Sequence, residues 1–231
     1  MEFGYWPIKG RAEVMRMLDA YLNLGIKEVN YYSLEEWNHK KSNFGAHFPN
    51  LPYLVDGDFV ITETEAINQY LAQKAGRLDL MGNDAREKAQ IYQLDGVIKD
   101  IVNNVKLVIF SNEDKKQGYA ELSKQDGNVA SKALDISKFL GEEEFMLGHL
   151  TVIDFILAHW FRVFEAMASV CEGQSLFAAH KNVRELVEKI ESLPGVKELI
   201  EKRKPVKYYP LKGNYKFRLP TRFDVEAAAS K

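Results

Sequence analysis

Asn50-Leu51-Pro52-Tyr53-Leu54, then Asp56-Gly57-Asp58, then Phe59-Val60-Ile61-Thr62-Glu63-Thr64-Glu65-Ala66-Ile67 is the stretch that decides how this chain folds. A proline-marked entry leads into two short extended runs joined by an Asp-Gly turn, which reads as a β-hairpin. Thr62 with Glu65 three residues later has capping-box spacing and predicts a helix from about Thr64 to Ala75. A helix start presents unpaired backbone N–H groups, and these favour an anion. Glu63 offers a carboxylate to an ammonium at the same place. The two features together suit a zwitterionic amino-acid head group.

Upstream of that stretch, Glu2-Phe3-Gly4-Tyr5 reads as a first strand and Trp6-Pro7-Ile8-Lys9-Gly10 as a turn-rich connection. Val14, Met17, Leu18, Tyr21 and Leu22 recur at helical spacing, with Gly25 placed to end the helix. Lys27 to Tyr32 favours a second strand, and Ser33 to Ser42 reads as irregular or partly helical. The order βαβ then ββα predicts a thioredoxin-like α/β domain over residues 1–76.

Residues 77–83 read as a linker, and residues 84–231 as an all-helical domain with an irregular tail. Asp84 with Glu87 opens a long helix toward Phe110, and Val129, Ala133, Ile136 and Leu140 mark another. Thr151, three residues before Asp154, caps an apolar run that predicts a buried helix to Met167. Val183, Leu186, Val187 and Ile190 mark an amphipathic helix stopped at Leu193-Pro194-Gly195, and Val196 to Lys202 adds a short one.

Composition narrows the classes. The 231 residues carry a net charge of −2, which does not attract nucleic acid, and the basic, aromatic tail after Lys202 reads as solvated. No membrane span is expected, since the apolar run from Val152 to Phe164 is short and broken by Asp154, His159 and Arg162. Met1-Glu2-Phe3 is followed by no basic and apolar run, so no secretory signal is expected. One cysteine, Cys171, permits no internal disulfide and fits the cytoplasm. The histidines show no ligand spacing, so no metal is expected, and His159 reads as a core residue.

Gly4-Tyr5-Trp6-x-Ile8-x-Gly10, Phe48-Pro49-Asn50-Leu51-Pro52-Tyr53-Leu54 with Asp56-Gly57, Ala66-Ile67, and Gly148 before Thr151-Val152-x-Asp154-Phe155 stand in a set order. In that order and spacing the chain, up to about Lys202, resembles the cytosolic glutathione transferases, and most of all the mu class. The resemblance implies that Tyr5 is the catalytic hydroxyl, that Trp6 lines the site behind it, and that Pro52 is cis with the backbone of Leu51 pairing the cysteinyl part of glutathione. It gives Trp37 and Lys41 to the glycyl carboxylate, Asn50 to the tripeptide backbone, and Glu63 and Thr64 to the γ-glutamyl end. Asp100 falls where the family supplies an acid from the neighbouring subunit, and Phe48 where an aromatic key enters the partner of a homodimer. Phe110, in the electrophile cleft, stands near the place of a second mu-class tyrosine. Only four residues separate Tyr32 from Trp37, so the loop typical of the class is shortened.

The implied activity is conjugation of glutathione, as co-substrate, to hydrophobic electrophiles. A glutathione-dependent isomerase of prostaglandin type, or a catalytically weak ligand-binding relative, is the alternative. A dithiol oxidoreductase is excluded, because no cysteine stands near Tyr5. Each position also has a plainer reading. Tyr5 can be a packed strand end, Trp37 a loop cover, Lys41 a solvated charge, Asp100 a surface acid and Phe48 a core residue.

Overall fold

The computed structural model describes residues 1–110, 114–124 and 127–203. Among these the chain forms two compact units, one of residues 1–77 together with 193–203, the other of residues 78–192.

The first unit is built on a four-stranded sheet of β1 (Glu2–Tyr5), β2 (Lys27–Asn30), β3 (Tyr53–Asp56) and β4 (Phe59–Thr62), in the order β2-β1-β3-β4. β1 runs parallel to β2, with α1 (Glu13–Leu22) as the crossover, and antiparallel to β3. Gly57, at φ +64°, turns β3 into β4, as the Asp-Gly pair predicts. The thioredoxin-like reading of the sheet is therefore correct. α3 (Thr64–Lys74) packs against α1, and Phe3, Leu18, Leu54, Ile67 and Leu71 are almost fully buried.

Three local expectations need correction. α1 ends at Leu22, three residues before Gly25, and is closed by Asn23, which takes the left-handed conformation at φ +52° that asparagine tolerates. The second strand stops at Asn30. Beyond it, residues 34–41 form a full helix, α2 (Leu34–Lys41). Its signal was in the sequence: the Ser33 hydroxyl accepts from the Glu36 N–H at 3.1 Å, and the Glu36 carboxylate accepts from the Tyr32 N–H at 2.8 Å.

The second unit is helical: α4 (Ala85–Phe110), α5 (Lys115–Leu122), α6 (Asn128–Leu140), α7 (Val152–Val170) and α8 (Lys181–Ser192). α7 is its buried axis, packed against both α4 and α8. The expected capping box at its start is present. The Thr151 N–H reaches Asp154 Oδ2 at 2.7 Å, and Asp154 Oδ1 also accepts from the Met146 N–H at 2.8 Å. His159 is buried, with its ring 4.9 Å from that of Trp160, and Cys171 is a buried thiol.

The last helix among the described residues, α9 (Val196–Arg203), packs on α1 and belongs to the first unit, whereas the sequence reading groups residues 84–231 together. The reason is Gly195, at φ +79°. A Cβ there would lie 2.3 Å from the carbonyl oxygen of Ala20, so glycine lets this turn settle against α1. The basic, aromatic tail after Arg203 lies outside the described residues.

Candidate functional site

Strand register gathers the predicted residues of the first unit at one end of its sheet. Gly4 pairs with Tyr53 and Tyr53 with Thr62, so Tyr5 at the end of β1, Pro52 at the start of β3 and Glu63 after β4 leave the sheet at the same edge. The Leu51–Pro52 bond is cis.

Tyr5 is buried, and its hydroxyl oxygen accepts a hydrogen bond from the backbone N–H of Arg11 at 3.0 Å. Its own proton has no acceptor among the described residues, so the O–H can donate to a bound group. Burial pushes the phenol above its ordinary pKa, against the Arg11 N–H and the charges of Arg11 and Arg16, which pull it down. Tyr5 is therefore neutral at physiological pH and acts as a donor, not a base. Gly10 makes room for it: at φ +43°, an added Cβ would lie 2.8 Å from both Cε1 and the hydroxyl of Tyr5.

At the same edge, Asn50 Nδ2 donates to Glu63 Oε1 at 3.2 Å. Both side chains are exposed. Glu63 holds φ +71° and ψ 121°, which costs a non-glycine residue of order 1–3 kcal/mol and is a feature that clusters at functional sites. Glu63 is also the residue immediately before α3, in the N-cap position, and no side chain caps that helix.

The expected capping box of Thr62 and Glu65 does not form. The Thr62 hydroxyl instead donates to the carbonyl of Phe48 at 2.8 Å and ties the preceding loop to β4. The start of α3 therefore carries no side-chain cap. Thr64 Oγ1 is buried there with no partner among the described residues.

Other expected residues fall as follows. Trp6 is partly buried next to Tyr5 in the chain. Trp37 is buried in an aromatic cluster, stacked on Tyr53 at 6.2 Å and edge-on to Tyr31 and Phe44. Lys41, one turn further along α2, is exposed. Phe48 is 78% exposed and so is not a core residue of the first unit. Asp100 lies on the surface of α4 and is paired with Lys132 of α6 at 2.8 Å. Phe110 ends α4, and its side chain lies outside the described residues.

Sequence reasoning missed Arg16. Its guanidinium is 2% exposed, and Nη1 donates to the carbonyls of Ile8 and Lys9 at 3.1 and 3.0 Å and to Glu13 Oε2 at 2.9 Å. Nε and Nη2 reach Glu28 Oε1 at 3.0 and 2.6 Å. Arg16 thereby pins the turn that carries Gly10 and Arg11 to Tyr5. An arginine three residues after a glutamate on a helix looks like a surface pair, so nothing local marked it. The distant partner, Glu28, decides its burial.

Known proteins carry the same two domains in the same order along the chain. The family model "Glutathione S-transferase, N-terminal domain" matches residues 1–73, and "Glutathione S-transferase, C-terminal domain" matches residues 99–203. A glutathione S-transferase of Dermatophagoides pteronyssinus is 31% identical over 212 residues, covering 87% of this chain and 90% of its own. The class-mu 26 kDa isozyme of Schistosoma mansoni is 30% identical, covering 92% and 93%. The crystal structure of the glutathione S-transferase Blo t 8 superposes with a TM-score of 0.75 at 29% identity, over 88% of this chain and 93% of its own.

Proposed function

This chain belongs to the glutathione transferase family, and from that premise we propose that it joins the thiolate of glutathione to hydrophobic electrophiles, with Tyr5 as the residue that stabilises the thiolate. The observation that carries this reading is the neutral, buried Tyr5 hydroxyl, with its oxygen engaged by Arg11 and its proton available, at the sheet edge where Glu63 opens α3.

A free thiol titrates near about 8.5, so little of it is nucleophilic at neutral pH. A hydroxyl donating to sulfur favours the charged form, and each unit of depression is worth about 1.4 kcal/mol. The thiolate then attacks an electrophilic carbon. A carbon–sulfur bond forms, and the leaving group departs with its electron pair.

For the co-substrate, we assign the γ-glutamyl ammonium to the Glu63 carboxylate and its carboxylate to the open start of α3 with Thr64. Asn50 and the backbone of Leu51 before Pro52 flank the middle of the tripeptide. Trp37 and Lys41 face its glycyl end. The class-mu relative supports placing the chain in that class. Exposed Phe48 fits an aromatic that enters a second copy in a homodimer, with Asp100 offered toward the partner's ligand. A single, buried cysteine fits a reducing cytoplasm, and detoxification fits a broad range of electrophiles.

The test is retention on immobilised glutathione, followed by turnover of a chloronitrobenzene by the wild type and by Tyr5→Phe. Retention by both with a loss of about 100-fold in kcat for the variant is expected. Turnover by Tyr5→Phe near that of the wild type would remove Tyr5 from the chemistry, and no retention of either protein would remove the family activity.

A further inference from the structure

The buried charges behind Tyr5 extend to the far end of the described chain. Arg203, in the last turn of α9, is 14% exposed and lies against the two carboxylates that hold Arg16. Its Nε stands 3.3 Å from Glu13 Oε2, the same oxygen that accepts from Arg16 Nη1. Its Nη1 stands 3.8 Å from Glu28 Oε2, while Oε1 of that carboxylate is taken by Arg16. Two guanidiniums thus meet the same two carboxylates, and each carboxylate is shared. We propose that Arg203 is a positioning residue for the Tyr5 hydroxyl, acting through Glu13, Glu28 and Arg16 on the turn after β1.

The links from Arg203 are ion pairs rather than hydrogen bonds, since its Nε has no hydrogen-bond partner among the described residues, whereas those from Arg16 onward are hydrogen bonds. Arg203 shares Glu13 Oε2 with Arg16 and stands by the Glu28 oxygen that Arg16 does not take, and these carboxylates aim the Arg16 guanidinium. Arg16 in turn holds the carbonyls of Ile8 and Lys9, immediately before Gly10 and Arg11. The Arg11 N–H then sets the Tyr5 hydroxyl.

Removing one cation from a buried cluster leaves a carboxylate under-compensated, and such losses are expensive. The cheapest relief is for Glu13 or Glu28 to swing, which carries Arg16 off its carbonyls. Burial and the nearby Arg16 charge already push the Arg203 pKa down, against the pull of Glu13 and Glu28. Docking of α9 through Gly195 brings the side chain to this place.

This inference rests on the glutathione reading. The experiment follows the ultraviolet absorbance of enzyme-bound glutathione thiolate against pH in the wild type, Arg203→Met and Arg203→Lys, alongside kcat/KM and the urea midpoint. Arg203→Met is expected to raise the thiolate midpoint by about one unit and lower kcat/KM about tenfold. The KM for glutathione stays nearly constant, and Arg203→Lys recovers most of the loss. Should Arg203→Met not fold, Glu28→Gln must move the midpoint in the same direction.

A folded Arg203→Met whose thiolate titrates as in the wild type overturns the proposal, whatever happens to its stability. A wild type that holds no thiolate overturns the glutathione reading first and this one with it. The two failures are therefore distinct.

Discussion

The backbone N–H of Arg11 meets the hydroxyl oxygen of Tyr5 at 3.0 Å, so a residue six positions along the chain fixes which way the phenol can donate. Gly10, between them in sequence, allows this approach. Gly10→Ala places a Cβ 2.8 Å from the Tyr5 ring on a backbone at φ +43°. Steady-state kinetics on this variant should show kcat reduced about 100-fold, because a displacement of about 1 Å at the reacting group is enough for that loss. Retention on immobilised glutathione should persist.

Glu63 permits a graded test of the ammonium contact. Glu63→Gln keeps an oxygen for Asn50 Nδ2 and loses only the charge, whereas Glu63→Ala loses both. A hydrogen bond to a charged group is worth about 1.5–3 kcal/mol, so calorimetric affinity for glutathione should fall roughly 10- to 100-fold in the alanine variant. The glutamine variant should fall in between. Equal affinity in all three proteins would place the γ-glutamyl end elsewhere.

Asn68 carries a cost that can be removed. It is 1% exposed on the inner face of α3, and neither polar atom of its amide has a partner among the described residues. Asn68→Leu fills nearly the same volume without the desolvated amide. Chemical denaturation should show stability raised by about 1–2 kcal/mol.

Asp154 makes stability depend on pH. Burial raises its pKa from 3.8 to about 6, despite the N–H groups of Met146 and Thr151. Folding therefore binds its proton more tightly. This group's contribution is greatest below about 4 and is lost as pH rises through about 6, by roughly 3 kcal/mol. Unfolding midpoints of the wild type and Asp154→Asn, measured from pH 4 to pH 7, isolate the effect. The wild type should lose ground to the variant across that window, although the variant is weaker in absolute terms for want of the second acceptor oxygen.

Gly195→Ala should dislodge α9. Its Cβ would sit 2.3 Å from the Ala20 carbonyl, on a backbone at φ +79°. A loss of about 2 kcal/mol or more in unfolding free energy is expected, with faster hydrogen exchange confined at first to α9 and the facing turn of α1.

What could be read in advance follows the range of the interactions. The hairpin at Asp56-Gly57, the periodic face of α1 and the Thr151–Asp154 cap are set by neighbours in sequence, and all three were legible. Tyr5 and Pro52 were singled out by the family resemblance and Glu63 by its place at a helix start, and the ladder register brings the three to one end of the sheet. Thr62 was misread because its hydroxyl is taken by the Phe48 carbonyl, 14 residues upstream. Arg16 was missed because its environment depends on Glu28, 12 residues downstream. The place of α9 was hidden for the same reason, since Gly195 meets Ala20 across most of the chain.

That last feature bears on how the protein is made. Residues 1–77 leave the ribosome long before α9, yet α9 belongs to the same compact unit and supplies Arg203 to the carboxylates of Glu13 and Glu28. At translation rates of roughly 5–20 residues per second, the emerging sheet waits roughly 6–25 s for α9. During that interval both acids lack the Arg203 guanidinium. A nascent chain stalled before residue 203 should therefore be more open to proteolysis in α1 than the released protein.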